Sequence, residues 1–184
     1  MEHHQVNFNK PCKIFFTADT HFSHRNIIKY CNRPFVDAKH MDSVLIENWN
    51  KVVPKDGIVY HLGDVGLLDF WDNVGDFLSQ LNGEIRLIKG NHDWKYDWYS
   101  YLDYVKALDT ITINGQPIVL CHYAMKVWDR KHYGAYHLFG HSHGTVEGEP
   151  GSMDVGVDCN NFTPVSYYEV IEKIEKTNEI NKLC

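Results

Sequence analysis

The chain has no C-x-x-C pair, and its five cysteines, Cys12, Cys31, Cys121, Cys159 and Cys184, are odd in number and widely spaced. That pattern argues against both a disulfide framework and a thiolate zinc ribbon, and it suits a reducing, cytoplasmic setting. Long apolar runs are missing too. No stretch approaches the about 18 consecutive apolar residues of a membrane span, and the start, Met1-Glu2-His3-His4-Gln5, lacks the basic and then apolar segments of an export signal. Basic residues are scarce: 18 Lys and Arg stand against 24 Asp and Glu, a net charge of −6. Counterion release needs a concentrated basic face, so long nucleic acid is not an expected partner. Charged residues are only 23% of the chain against 43% hydrophobic ones, which excludes a disordered polyanion. No repeat and no linker rich in Pro, Gly or Ser divides the 184 residues, so 1–184 is read as one domain without a separate cap.

What is present alternates. Lys13 to Ala18 is a short apolar, aromatic run ending at Asp19-Thr20-His21, the pattern of a buried strand. Met41, Val44, Leu45, Trp49 and Val52 recur at spacings of three and four and predict an amphipathic helix, broken by Pro54 and Gly57. Ile58 to Leu62 is a second strand ending in Gly63-Asp64. Trp71, Val74, Phe77, Leu78 and Leu81 form a second helical stripe, stopped at Asn82-Gly83. Ile85 to Lys89 is a third strand, ending in Gly90-Asn91-His92-Asp93. This order is that of a parallel α/β unit. Thr110 to Ile113, Asn114-Gly115 and Pro117 to Cys121 then predict a hairpin ending in His122. Tyr136 to Phe139 is a short strand before Gly140-His141-Ser142-His143, Met153 to Val157 another strand, and Tyr167 to Lys176 a closing helix. The expected fold class is α/β, a mixed sheet with helices outside.

Histidine is the enriched residue, 12 against six prolines, and it is the commonest metal ligand and acid or base near neutral pH. The polar clusters at the strand ends belong beyond the carboxyl edge of an α/β sheet, where ligands sit. Asp19, His21, Asp64, Asn91, His122, His141 and His143 should therefore converge. They supply two carboxylates, one amide oxygen and four imidazoles, a set suited to Mn, Fe, Zn or Ni and poorly suited to Ca or Mg alone. Seven donors exceed the needs of one ion. Two divalent transition metal ions about 3.5 to 4 Å apart, sharing a carboxylate and a hydroxide, would use them all.

These blocks resemble the calcineurin-like metallophosphoesterases, whose order is D-x-H, G-D, G-N-H-D/E, a lone H, then G-H-x-H. The resemblance runs from about Lys13 to Val157. It implies a four-layer α/β sandwich with mixed sheets, helices outside and the site at the sheet tops. It further implies that Asp19, His21 and His143 hold one ion, that Asn91, His122 and His141 hold the other, and that Asp64 bridges them. His92 would contact phosphate and protonate the leaving oxygen, with Asp93 behind it orienting the ring or tuning its pKa. The nucleophile would be a metal-bridging hydroxide. The chain departs from the phosphoprotein phosphatases of this superfamily, which carry G-D-x-x-D-R-G and G-N-H-E. Here Gly63-Asp64 is followed by Val65-Gly66-Leu67-Leu68-Asp69, without their phosphate-gripping arginine, which argues against phosphoprotein substrates. Thr17 to His24 followed by Asn26-Ile27-Ile28 looks like a small bacterial and phage-type subgroup.

Around the motifs, His24, Arg25 and Asn26 have two readings: contacts to substrate phosphate, or a polar cap on a helix starting near Ser23. Lys126, Arg130, Lys131 and His132 read as a solvated loop before an anion collector. His3, His4 and His40 read as surface residues, and His61 and His137 as core or supporting groups. Trp94, Tyr96, Trp98, Tyr99, Tyr101 and Tyr104, with Trp128 and Tyr133, read first as packing or a homo-oligomer surface and second as a base-stacking wall. The expected function is hydrolysis of a small phosphomonoester or phosphodiester, nucleotide-like substrates included, with Mn the first choice of metal. The rivals are a non-catalytic scaffold on the same fold and a nuclease acting on short nucleic acid.

Overall fold

The computed structural model describes residues 4–5 and 13–183, with side chains from 13 to 179. Most of the start inspected for an export signal, the side chains of His3 and His4, Cys12 and Cys184 lie outside the described residues. In chain order the elements are β1 (His4–Gln5), β2 (Ile14–Thr17), α1 (Arg25–Tyr30), α2 (Ala38–Val52), β3 (Ile58–His61), α3 (Val74–Leu78) and β4 (Glu84–Ile88). Then follow β5 (Val105–Lys106), β6 (Leu108–Ile113), β7 (Gln116–Cys121), β8 (Tyr136–Phe139), β9 (Ser152–Asp154), β10 (Val165–Ser166) and α4 (Tyr167–Leu183).

The strands form two five-stranded mixed sheets, ordered β10-β2-β3-β4-β5 and β1-β6-β7-β8-β9. In the first, β2 to β5 are parallel and β10 is antiparallel to β2. In the second only the β6–β7 hairpin is antiparallel. Its two-residue turn pairs Ile113 with Gln116 across Asn114 and Gly115, both at positive φ, as a twist-matched hairpin requires. This is the mixed α/β class expected from the sequence.

Alternation along each strand sets the layers. Ile14, Phe16 and Ala18 face the second sheet and pack with Ile111, Ile118, Leu120 and Leu138, while Phe15 and Val59 face the helices with Met41, Leu45 and Trp49. Helix α2 begins where the Asp37 carboxylate accepts the His40 amide at 2.8 Å, and its buried stripe follows the four-residue spacing. Helix α4 adds Val170 and Ile174 to the core between the sheets. The far face of the second sheet is covered by the 123–135 segment, through Trp128 and Ala135 on Val119. No helix among the described residues is long and apolar enough to cross a membrane.

Several elements differ from their sequence boundaries. The expected helix over 71–81 is helical only at Val74–Leu78, because the Asn73 side chain caps the Asp76 amide and starts the helix late. Trp71 and Leu81 pack in the same cluster from the flanking turns. The strand expected to reach Val157 stops at Asp154, whose Oδ1 accepts the Gly156 amide at 2.7 Å and turns the chain into a 3-10 segment. The last helix runs past Lys176 to Leu183.

Candidate metal centre

The strands β2, β3, β4, β7 and β8 all deliver their polar clusters to one edge of the sandwich. A side chain that continued along its strand would miss that edge. Asp19, His21, Ser23, Asp64, His141 and His143 instead turn the backbone, with φ between +48° and +67°. Asp and His tolerate this region better than most residues, yet each costs on the order of 1–3 kcal/mol, and such strain collects at functional sites. Glycines make the approach close enough. A Cβ on Gly90 would lie 2.3 Å from Asp64 Oδ1, and one on Gly140 would lie 2.5 Å from Asp19 Oδ2.

Two donor groups result. Asp19, His21 and His143 have ligating atoms within 4.8 Å of one another, and so do Asp64, His122 and His141. Asp64 lies between the groups: its Oδ2 is 3.7 Å from His21 Nε2 and 3.5 Å from His122 Nε2. Asn91 Oδ1 is 3.1 Å from His122 Nε2. His92 donates its backbone N–H to Asp64 Oδ1 at 2.8 Å, and its half-exposed ring holds Nε2 4.0 Å from Asp64 Oδ2. The ring of His24 lies 5.4 Å from that of His21 and 6.4 Å from that of His92.

The chemistry of these donors fits cations. Asp19 Oδ1 and His21 Nε2 are buried without a hydrogen-bond partner, a costly state that a cation relieves. Burial pushes the Asp19 carboxyl up to about 7 and the His21 ring down to about 2, so neither is stable as a lone buried ion. Asp64 behaves oppositely. Burial raises its carboxyl, but the hydrogen bond and charge of His122 and the His92 amide outweigh this and hold it at about 2. His122 donates from Nδ1 to the Leu62 carbonyl at 2.7 Å, which leaves Nε2 for the site. A third group, Cys31, His143 and Asp158, is unsuited to a cation, because Arg33 already holds the Asp158 carboxylate with two hydrogen bonds of 2.8 and 2.7 Å.

Several placements depart from expectation. Among the described residues Asp93 makes no hydrogen bond to the His92 ring; its buried carboxylate accepts the amides of Asp64 at 2.8 Å, Gly90 at 2.7 Å and Val65 at 2.9 Å. These three backbone donors make it a clamp between two motif loops. The polar-cap reading near Ser23 also fails. Helix α1 starts at Arg25, its N-cap residue His24 makes no side-chain cap bond, and the Ser23 hydroxyl and amide go to Asp42. Arg25 and Asn26 are exposed and, among the described residues, make no hydrogen bond to the donor groups. His61 and His137 are buried: His61 bridges to Thr20 Oγ1 at 2.9 Å, and His137 lies between the Val119 and Tyr123 carbonyls. Lys131 pairs with Glu149 at 3.0 Å, which leaves the basic segment partly neutralised. Of the aromatic group, Trp94, Tyr99, Tyr101 and Tyr133 are exposed, while Trp98 and Trp128 are buried.

Sequence patterns did not disclose the anchors of the motif loops. Arg33, Asp42, Asp154 and Asp158 each fix a motif loop from outside the motifs. Asp154 accepts the Ser142 hydroxyl at 2.7 Å and the Gly144 amide at 3.2 Å. Tyr123, directly after His122, sets its ring 4.8 Å from that of His141 and is itself exposed.

Comparison with known proteins agrees with this geometry. The calcineurin-like phosphoesterase superfamily domain matches residues 13–155. The uncharacterized protein MJ1445 of Methanocaldococcus jannaschii is 36% identical over 172 residues, covering 89% of this chain and 92% of that one. The gene 66 protein of Mycobacterium phage D29 is 27% identical over 200 residues, covering 90% and 98%. Among solved structures, the protein of unknown function AQ665 from Aquifex aeolicus has a TM-score of 0.70 at 26% identity, covering 86% of this chain and 97% of that one. With two His and Asp donor groups at one edge of two mixed sheets and the family match spanning both, the chain belongs to the calcineurin-like phosphoesterase superfamily.

Proposed function

We propose that the protein hydrolyses small phosphomonoesters or phosphodiesters with two divalent transition metal ions, and that His92 serves as its general acid. The observation that carries this reading is the position of Asp64, whose Oδ2 lies 3.7 Å from His21 Nε2 and 3.5 Å from His122 Nε2, between two complete donor groups. Asp19, His21 and His143 would hold one ion, Asn91, His122 and His141 the other, and Asp64 both. Mn is the first choice, with Fe, Zn or Ni as alternatives, because imidazoles outnumber carboxylates among the donors. When bound, such ions supply a water acidic enough to act as nucleophile near neutral pH and neutralise phosphoryl oxygens.

The chain's own residues do the rest. His92 is anchored through its backbone to Asp64 while its ring stays half exposed. That leaves the ring within reach of a departing alkoxide, to which it would supply the proton. His24, whose ring lies near those of both His21 and His92, would contact a phosphate oxygen. In this reading the chain works as one domain without a separate cap, and the segments 23–35, 94–104 and 123–135 would set access. A reducing cytoplasm suits the free thiols of Cys31, Cys121 and Cys159.

Removing metal with a chelator should abolish turnover and Mn should restore it. Full activity in the stripped protein would overturn the reading. His92→Ala should retain metal yet lose roughly 10² to 10⁴ in rate on an alkyl or nucleoside ester. The loss should be much smaller on a p-nitrophenyl ester, whose leaving group needs no proton. Equal losses on both esters would assign His92 to phosphate binding, and loss of metal would make it a ligand.

A further inference from the structure

Arg33 is a buried arginine outside every motif. Its guanidinium donates from Nη1 to the Thr20 carbonyl at 3.0 Å and from Nη2 to the Asp19 carbonyl at 2.7 Å. It also grips both oxygens of Asp158. Asp158 Oδ2 in turn accepts from His143 Nδ1 at 2.7 Å. The three side chains bridge sequence separations of 125 and 15 residues. They join the backbone that presents Asp19 and His21 to the ring of His143, the three members of one donor group.

The other group shares one link with the first, the His141 amide donated to Asp19 Oδ2 at 2.8 Å, and has further anchors of its own. Asp93 clamps the Asp64 and Gly90 loops, and the Leu62 carbonyl orients His122. No hydrogen bond links Arg33 or Asp158 to Asp64, Asn91, His122 or His141 among the described residues. A bidentate Arg–carboxylate pair is planar and directional, so it sets the Asp158 oxygens, and through them the ring plane and tautomer of His143. With Nδ1–H given to Asp158, only Nε2 is left to bind metal.

We propose that Arg33 and Asp158 are positioning residues for one ion alone, the one held by Asp19, His21 and His143. The proposal rests on the two-ion reading above. It assigns Asp158 no contact with substrate; it acts through His143.

Isothermal titration with Mn²⁺ tests it site by site. The His141→Ala variant lacks a donor of the second group, so its titration reads the first. Adding Asp158→Asn to that variant should weaken Mn²⁺ binding about 10- to 100-fold, while Asp158→Asn alone should leave the affinity of the Asp64, His122 and His141 group unchanged. Unchanged affinity in the first comparison, or equal weakening of both groups, overturns the proposal and leaves the two-ion reading standing. A wild-type protein that takes up one ion, with affinity that falls on Asp158→Asn, overturns the two-ion reading and retains the relay; one ion insensitive to Asp158 overturns both. Because Asp158→Asn half-strips a buried arginine and can unfold the chain, a second measurement uses wild-type protein. Long-range ¹H–¹⁵N spectra of histidine-labelled, Zn²⁺-loaded protein should show His143 protonated at Nδ1. A proton on Nε2 with metal at Nδ1 overturns the relay regardless of any variant.

Discussion

Replacing Asp93 separates a loop clamp from a partner of His92. The carboxylate is fully buried and accepts three backbone amides, those of Asp64 and Gly90 on Oδ2 and that of Val65 on Oδ1. A hydrogen bond to a charged group contributes about 1.5–3 kcal/mol, and a buried donor left unpaired costs about 1–3 kcal/mol. In Asp93→Asn the amide oxygen turns to the two-donor side and the NH₂ confronts the Val65 N–H, so one donor is orphaned. The expected loss is about 2–3 kcal/mol, or a fall in Tm of roughly 4–12 °C for a chain of this size. Asp93→Ala orphans all three donors, for a loss of about 3–6 kcal/mol after water enters the vacated space. Urea denaturation of metal-free protein measures both, with metal content read in parallel. Metal retention should fall with stability, since the Asp64 loop at φ +59° loses its clamp. The clamp is refuted if Asp93→Asn has wild-type stability and metal content yet copies the leaving-group-dependent defect of His92→Ala. That outcome would put the carboxylate on the ring.

Asp64→Asn should weaken both ions together, as metal analysis after gel filtration would report; one ion retained at normal affinity would show that Asp64 is not shared. Gly90→Ala should fold poorly or shed metal, because its Cβ would meet Asp64 Oδ1 at 2.3 Å and Asp64 N at 2.6 Å; normal metal content in a stable variant would contradict that crowding. Asp42 predicts a pH effect. Burial raises its carboxyl to about 7 against the hydrogen bonds from Ser23. The folded state therefore prefers the protonated form, and stability present below about pH 4 is lost as pH rises through about 7. Asp42→Asn removes that slope, so the stability difference between variant and wild type should shift in favour of the variant from pH 4 to 8; parallel urea curves across that range would refute it.

The sequence by itself determined where chemistry could collect. The short apolar strands β2, β3, β4, β7 and β8 each end in a polar cluster, a local pattern that needs no tertiary contact to be seen. The Asn114-Gly115 turn and the four-residue stripe of α2 are local in the same sense. Local signals erred where a side chain captured backbone, as Asn73 did in starting α3 late and Asp154 in ending β9 early, and at the end of α4, which runs past Lys176 to Leu183. Tertiary structure alone decided how the clusters are held. Asp93 sits beside His92 in sequence, yet its carboxylate reaches amides 28 and 29 residues away. Arg33 meets Asp158 across 125 residues. A hydrogen bond of that kind leaves no periodicity or spacing behind. It exists because two sheets and their helices bring distant loops to one edge, where buried charges must find partners. The ligand types were written in the motifs, and their orientation was set by the residues that satisfy those charges.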